Sequence, residues 1–260
     1  MNRKGFCTVL GTGTSQGVPV IACECEVCTS KDPKDNRGRS SIMLSLGGEN
    51  HVIDAGPDFR QQMLREKVKT LKSIIFTHEH KDHISGLDDV RAFNYKEKRN
   101  MDVYANAQVQ AALHREYHYI FASKTYPGIP KINLETIKSE SFEISNNTLL
   151  TPIEVLHYKL PVLGFRIGDF TYITDAKTIS TEERKKIKGT KILIINALRR
   201  KPHLSHFNLD EALTFIKEIG PEKAYLTHIS HLFDTHENIS KELPDGVFAA
   251  YDGLQIPFKY

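Results

Sequence analysis

Apolar and polar positions along this chain fall into short runs rather than long stripes, and many of the runs stop at a residue able to bind or cap. Phe6 to Leu10 reads as a first strand, and Ser41 to Leu46 and His51 to Asp54 read as two more, joined by the Gly47-Gly48-Glu-Asn turn. The β-branched and aromatic run Ser73 to Phe76 predicts a buried strand. Strand patterns return over Ile132 to Ile137, Leu149 to Leu156, Leu160 to Ile167 and Phe170 to Thr174, the last two closing a hairpin around Gly168-Asp169. Lys191 to Ile195 and Lys223 to Thr227 follow, and from Asp234 onward the chain reads as one helix and two short strands closing at Phe258. Helical periods lie between: Pro57 to about Lys67 with Pro57 in the first turn, Ser85 to Lys98, Ala105 to Phe121, and Ser180 to Lys188 capped by Ser180 or Thr181. Leu209 to Ile219 has the clearest start signal, Asn208 as cap with Glu211 three residues on.

At 260 residues and 40% hydrophobic content the chain can bury one substantial core, so a single domain over residues 1–260 is expected. A net charge of +3 is too mild to require a nucleic-acid partner. The basic runs Lys96-Glu-Lys-Arg99 and Arg184-Lys-Lys186 read as solvated helix ends and loops. No apolar segment approaches the ~18 residues of a membrane span, and Met1-Asn-Arg-Lys-Gly-Phe6 lacks the apolar core of a secretory signal. A cytoplasmic protein with no membrane partner is therefore expected. Of the four cysteines, three crowd into Cys23-x-Cys25-x-x-Cys28, and a reducing compartment favours metal ligation over bridging there. A closed tetrahedral zinc site needs a fourth donor. Cys7, inside the first strand, reads as a small buried apolar residue, which leaves a histidine remote in sequence as the better partner.

The densest chemistry is Thr77-His-Glu-His-Lys-Asp-His83, directly after the buried strand. His78 and His80 are two apart, so a chain still extended there points both rings the same way, while Asp82 and His83 need the following turn to bring them back. A single histidine near a strand end is ordinarily a surface or core residue. Four donors in six positions are hard to explain that way, and imidazole with carboxylate suits zinc, iron or manganese in two adjacent sites. Gly11-Thr-Gly-Thr-Ser-Gln-Gly17-Val-Pro19 has GxGxxxG spacing, no following lysine and no following helix, so it reads as a tight loop beside the site rather than a phosphate cradle. Asp54 has two open readings: a cap for the helix after Pro57, or a group that orients a metal-bound histidine. Tyr95, Tyr117, Tyr119 and Phe121 read as core and groove wall rather than a base-stacking platform.

HxHxDH after an apolar strand resembles the signature of the metallo-β-lactamase fold hydrolases, which implies an α/β fold, a four-layer αββα sandwich with a metal centre at one edge. GTGTSQGVP, CxCxxC, DAGPDFR, THEHKDH and LTHISH together span nearly the whole chain. They are similar to one branch, phosphodiesterases like the cyclic ribose-phosphate enzyme of bacterial phosphonate catabolism. The resemblance implies two divalent ions, zinc or manganese: one held by His78, His80 and His157, a second by Asp82, His83 and His228, with Asp175 bridging them and a shared hydroxide as nucleophile. It also implies a structural zinc on a loop at about 20–30, held by Cys23, Cys25, Cys28 and His231. His206 matches a catalytic histidine of that branch and is expected to protonate the leaving group; His203 is the second choice, and Asp82 is counted as catalytic as well as a ligand. Arg199 and Arg200 share that loop, where they could meet phosphate oxygens, although solvent-exposed charge is the simpler reading. Asn196 departs from the branch, whose members often carry aspartate there.

The expected function is hydrolysis of small, cyclic phosphodiesters, with the diester as partner and a homodimer left open. A transfer-RNA 3′-end nuclease is the runner-up, but the basic arm of that enzyme has no counterpart insertion here; a lactonase is third. A zinc-stabilised nucleic-acid-binding module would leave His78, His157, Asp175 and His228 at strand ends unexplained.

Overall fold

The computed structural model describes residues 3–122, 126–145 and 147–260; Met1 and Asn2, part of the segment read above for a signal, lie outside them. The first half of the chain lays down β1 (Lys4–Gly11), β2 (Ser41–Leu46), β3 (Glu49–Ile53), β4 (Ser73–Ile75), β5 (Met101–Ala105) and β6 (Ile132–Thr136). Along the same stretch run α1 (Phe59–Arg65), α2 (Lys81–Ile84), α3 (Arg91–Glu97), α4 (Ala107–Glu116) and α5 (His118–Phe121). The second half supplies β7 (Phe142–Ser145), β8 (Thr148–His157), β9 (Leu160–Ile167), β10 (Phe170–Ile173), β11 (Thr178–Ile179), β12 (Ile192–Asn196), β13 (Lys223–Thr227) and β14 (Val247–Ala249), with helices α6 (Thr181–Ile187), α7 (Leu209–Ile219) and α8 (His236–Glu242). A last strand, β15 (Gln255–Lys259), returns to pair with β1. Two sheets result, ordered β15-β1-β2-β3-β4-β5-β6 and β11-β8-β9-β10-β12-β13-β14, with β7 paired on β8.

Three apolar clusters make the layers. Val9, Ile75, Phe165, Tyr172 and Ile194 pack between the sheets; Ile74, Phe76, Val103, Val109 and Leu113 pack the first sheet against its helices; Ile173, Ile195, Ala212, Phe215 and Ile239 do the same for the second. Alternate residues of β4 and β12 thus enter different clusters, which is why both read as continuous apolar runs: each strand is buried on both faces. The arrangement is the αββα sandwich the sequence implies.

Several boundaries differ from expectation. Met101 to Ala105 is a strand, not a lead-in to a helix, and α4 starts at Ala107 with Asn106 capping Val109 N. Met101, Val103 and Ala105 alternate with Asp102 and Tyr104, a period-two pattern only five residues long that the sequence reading passed over, and parallel pairing to β4 and β6 on either side holds it. The helix expected from Ser85 splits into a 3₁₀ turn at Leu87–Val90 and α3, which ends where Lys98 turns left-handed. α1 begins only at Phe59, leaving Pro57 in the preceding turn. Arg99 is not a solvated helix end: it donates to the carbonyls of Leu71, Lys72 and Asn100 and pairs with Glu97. The start of α7 is as expected, with Asn208 and Glu211 forming a reciprocal capping box.

Candidate metal centre

Most residues of the histidine cluster sit where a strand gives way to a loop or turn, and the backbone makes the same move at three strand ends. Asp54 after β3, Asp175 after β10 and His228 after β13 all adopt positive φ, at 66°, 57° and 56°. A non-glycine residue there costs roughly 1–3 kcal/mol, a strain that concentrates at functional sites. His80 remains extended, φ −61° and ψ 147°, and α2 starts at the next residue, which turns Asp82 and His83 back toward His78. The turn is possible because Gly56 lies underneath: a Cβ there would come within 2.0 Å of the Asp82 carbonyl oxygen.

Hydrogen bonds fix which nitrogen each ring presents. The Thr77 hydroxyl donates to Asp54 Oδ2 at 2.8 Å, so it accepts from His78 Nδ1 at 2.9 Å and leaves His78 Nε2 bare. That nitrogen lies 3.0 Å from His80 Nδ1. The Ser205 carbonyl can only accept, so His157 Nδ1 carries the proton across 3.0 Å and Nε2 is the free donor atom. Ser40 Oγ gives its proton to the Gly13 carbonyl and receives one from His228 Nδ1 at 3.2 Å. Asp54 is fully buried and accepts from His83 Nδ1 at 2.7 Å and from Thr77 N at 2.9 Å. Of its two open readings the structure selects the second: Asp54 orients a histidine, and α1 has no side-chain cap.

Asp175 is central. Its Oδ2 lies 3.3 Å from both His83 Nε2 and His228 Nδ1, and its Oδ1 3.8 Å from His206 Nδ1. Asp82 Oδ2 lies 3.2 Å from His83 Nε2. The rings of His80 and His157 are 5.3 Å apart. The His206 ring, buried, packs 4.4 Å from His157 and 4.7 Å from His228, while His203 lies one ring farther out, 5.2 Å from His206 and partly exposed. All of the histidine-cluster residues predicted from sequence therefore meet in one place.

Electrostatics test whether metal ions fit. Three carboxylates, those of Asp54, Asp82 and Asp175, converge on buried imidazoles. Burial opposes the charge of His83, yet these carboxylates together hold its imidazolium well above the usual range. Burial likewise opposes the charge of Asp175, and His228 and His83 hold its carboxyl well below that of an ordinary aspartate. For His206 burial dominates, with His228 adding to it, and the imidazole is pushed down to about 2. Among the described residues, the buried His83 Nε2 and His206 Nδ1 have no hydrogen-bond partner. A carboxylate-rich pocket that charges its own histidine, with nitrogens aimed inward and unpaired, is what divalent cations would complete.

A second donor set lies on the surface loop. Cys23, Cys25, Cys28 and His231 bring their donor atoms within 4.8 Å of one another, with His231 Nδ1 3.2 Å from Cys23 Sγ and 3.5 Å from Cys25 Sγ. The Cys28 backbone N–H, with help from His231, lowers the Cys25 thiol to about 6, so it is available as thiolate. Cys7 is buried, and burial pushes its thiol far above the usual range, which agrees with its apolar reading. Gly13 of the glycine loop bridges to Ile229, and Thr12 O accepts from Ile229 N at 2.8 Å, so that loop buttresses the segment carrying His228 and His231.

The arginines divide. Arg200 pairs with Glu242 at 2.8 Å and Asp234 at 3.1 Å, which ties it to α8 rather than to a substrate. Arg199 donates to the carbonyls of Lys201 and Pro202 in its own loop. A groove of about 750 Å³ lined by Tyr95, Lys98, Arg99, Phe121, Tyr126 and Lys131 contains none of the donors. Sequence reasoning gave no role to Thr77, Ser40 or Ser205; Thr77 and Ser205 directly precede His78 and His206, while Ser40 adjoins no donor in the chain.

Comparison with known proteins agrees with this geometry. The Beta-lactamase superfamily domain matches residues 49–229, which takes in His78 through His228 but not the cysteines or His231. A solved structure described as a new diphosphatase from the PhnP family is 37% identical, with a TM-score of 0.93 over 100% of this chain and 99% of that one. An octanoyltransferase from Porphyromonas gingivalis is 38% identical over 252 residues, 96% of this chain and 51% of that protein. A ribonuclease Z from Prochlorococcus marinus is 24% identical over 60% of this chain and 48% of its own length. The chain thus spans about half the length of these curated relatives. Family match, fold and converging strand-end donors agree: the chain belongs to the metallo-β-lactamase superfamily of metal-dependent hydrolases, on the branch of the PhnP family.

Proposed function

We propose that this protein is a dinuclear metal-dependent phosphodiesterase acting on small, cyclic phosphodiesters. The observation that supports the reading best is Asp175, whose one carboxylate belongs to two groups of converging donor atoms, with His78 and His83 and with His157 and His206. His78, His80 and His157 would hold one ion, Asp82, His83 and His228 the other, and Asp175 both. Bound there, zinc or manganese would supply Lewis-acid polarisation of the phosphoryl oxygens and a water-derived nucleophile at neutral pH. The chain's own contribution is orientation: Thr77, Ser205, Asp54 and Ser40 each hold the remote nitrogen of a ring. His206, against Asp175 and His157, is the group from which the leaving oxygen would take its proton; burial favours its neutral ring, so the negative charge of a bound diester would have to restore that proton first, and His203 stands outside it. We read the chain as one hydrolase domain of the cytoplasm with a zinc-binding loop near residues 20–30. Among the described residues no helix is long and apolar enough to cross a membrane.

A diphosphate substrate is the second reading, favoured by the description of the PhnP-family structure as a diphosphatase. A panel on manganese- or zinc-loaded protein decides: an aryl phosphodiester, 2′,3′-cyclic nucleotides, a ribosyl cyclic phosphate, a nucleotide-linked diphosphate, precursor transfer RNA, an acyl lactone and an octanoyl thioester. Fastest turnover of a cyclic diester is expected. Preference for the diphosphate promotes the second reading, and cleavage of transfer RNA, lactone or thioester without diester turnover overturns both.

The cysteine cluster is proposed as the structural zinc site. Zn–S and Zn–N bonds of about 2.3 and 2.0 Å would fit four donors already converging on one point. Cys25→Ser should remove one metal equivalent and lower Tm while the histidine-cluster ions stay bound. Mass spectrometry showing these cysteines paired in disulfides in freshly prepared protein would remove the thiolates on which the assignment depends.

A further inference from the structure

Asn196 has no part in the function proposed above, and its surroundings give it one. It ends β12, is fully buried, and its amide makes two hydrogen bonds to a single residue: Oδ1 accepts from Ala176 N at 2.8 Å and Nδ2 donates to Ala176 O at 2.9 Å. The strands β10 and β12 run parallel with Ile173 opposite Ile195 as their last pair. Beyond it the ladder cannot continue through the backbone, because Asp175 turns left-handed at φ 57°. The Asn196 side chain supplies the next donor and acceptor in place of the backbone. The Ala176 carbonyl also accepts from Phe207 N at 2.8 Å, which anchors the loop carrying His206 to the same residue. On its other side Asn196 is opposite Thr227 in β13, immediately before His228.

We propose that the Asn196 amide is a positioning group that holds the Asp175 turn in register with the His206 loop and the end of β13. The proposal rests on the reading of Asp175 as a metal ligand. An amide makes both bonds. A carboxylate can still accept from Ala176 N but sets a second acceptor against Ala176 O, which keeps only its bond from Phe207 N, and an apolar residue of similar size offers neither. The apolar change leaves the buried Ala176 N–H without its partner, next to a carboxylate whose distances to three rings depend on the turn.

The test uses the full chain loaded with zinc or with cobalt, and compares Asn196→Leu, Asn196→Thr and, as a control, Asp175→Asn. Metal retention is measured against graded chelator, with the cobalt d–d absorption spectrum as a second readout. The Asn196 variants should bind the histidine-cluster ions ~10–100-fold more weakly, in line with lost support of a ligand, with altered cobalt bands and an unchanged cysteine-cluster equivalent. Wild-type retention and spectrum in Asn196→Leu, even with a lower Tm, would reduce Asn196 to a structural residue and overturn the proposal. Should the leucine variant fail to fold, the smaller and strand-compatible threonine is judged by the same two readouts. If Asp175→Asn itself retains both ions at wild-type affinity, the ligand reading has failed rather than the positioning one.

Discussion

Asp175→Asn should strip both ions from the histidine cluster and lower kcat/KM by ~10³-fold or more, comparable to removing a principal electrostatic contact in other hydrolases and equal to about 4 kcal/mol of transition-state stabilisation. Asparagine is the informative replacement because Asp175 sits at φ 57°, a conformation that asparagine adopts at less cost than alanine. Backbone strain is thereby kept apart from loss of charge. The expected size follows from position: the carboxylate is buried, within 3.3 Å of His83 and His228, and receives the Thr174 hydroxyl at 2.6 Å. An amide in its place brings no negative charge to offset two dications at a buried position. Elemental analysis after dialysis checks the outcome, and the cysteine-cluster equivalent serves as an internal standard. Two ions retained together with full activity would mean that Asp175 is not shared between them.

His206→Ala separates a proton donor from a ligand. If His206 protonates the leaving group, metal content is unchanged, and turnover falls ~10²–10⁴-fold for substrates with poor leaving groups and much less for activated aryl esters. The structure makes the ligand alternative a concrete one, because His206, His157 and Asp175 bring donor atoms within 4.8 Å of one another and His206 Nδ1 is buried without a hydrogen bond. Loss of one equivalent in His206→Ala would assign the ring to the metal and pass the acid role to His203, the next ring outward. Comparing leaving groups is essential, since a uniform loss across them would reflect collapse of a buried ring stack rather than proton transfer.

What the sequence by itself determined is which residues gather at the candidate centre and the elements that carry them. Apolar runs ending in His78, His157, Asp175 and His228 are legible because strand character is set by five or six consecutive residues, and a polar group at the end of a buried run has few structural uses. The cap of α7 was legible for the same reason: Asn208 and Glu211 are three residues apart and meet within one helical turn. Tertiary structure decided everything that depends on partners distant along the chain. Asp54 meets His83 across 29 positions, and only that contact separates an orienting group from a helix cap. His231 reaches Cys23 across 208 positions, and Arg200 reaches Glu242 across 42, which removes it from the phosphate-binding candidates. Met101–Ala105 is held as a strand by neighbours that pair with it on both sides, its period-two pattern being only five residues long. Asn196 belongs to the same class: its amide has meaning only beside Ala176, and that proximity is created by parallel strand register together with a left-handed turn, neither of which is written in any local stretch of residues.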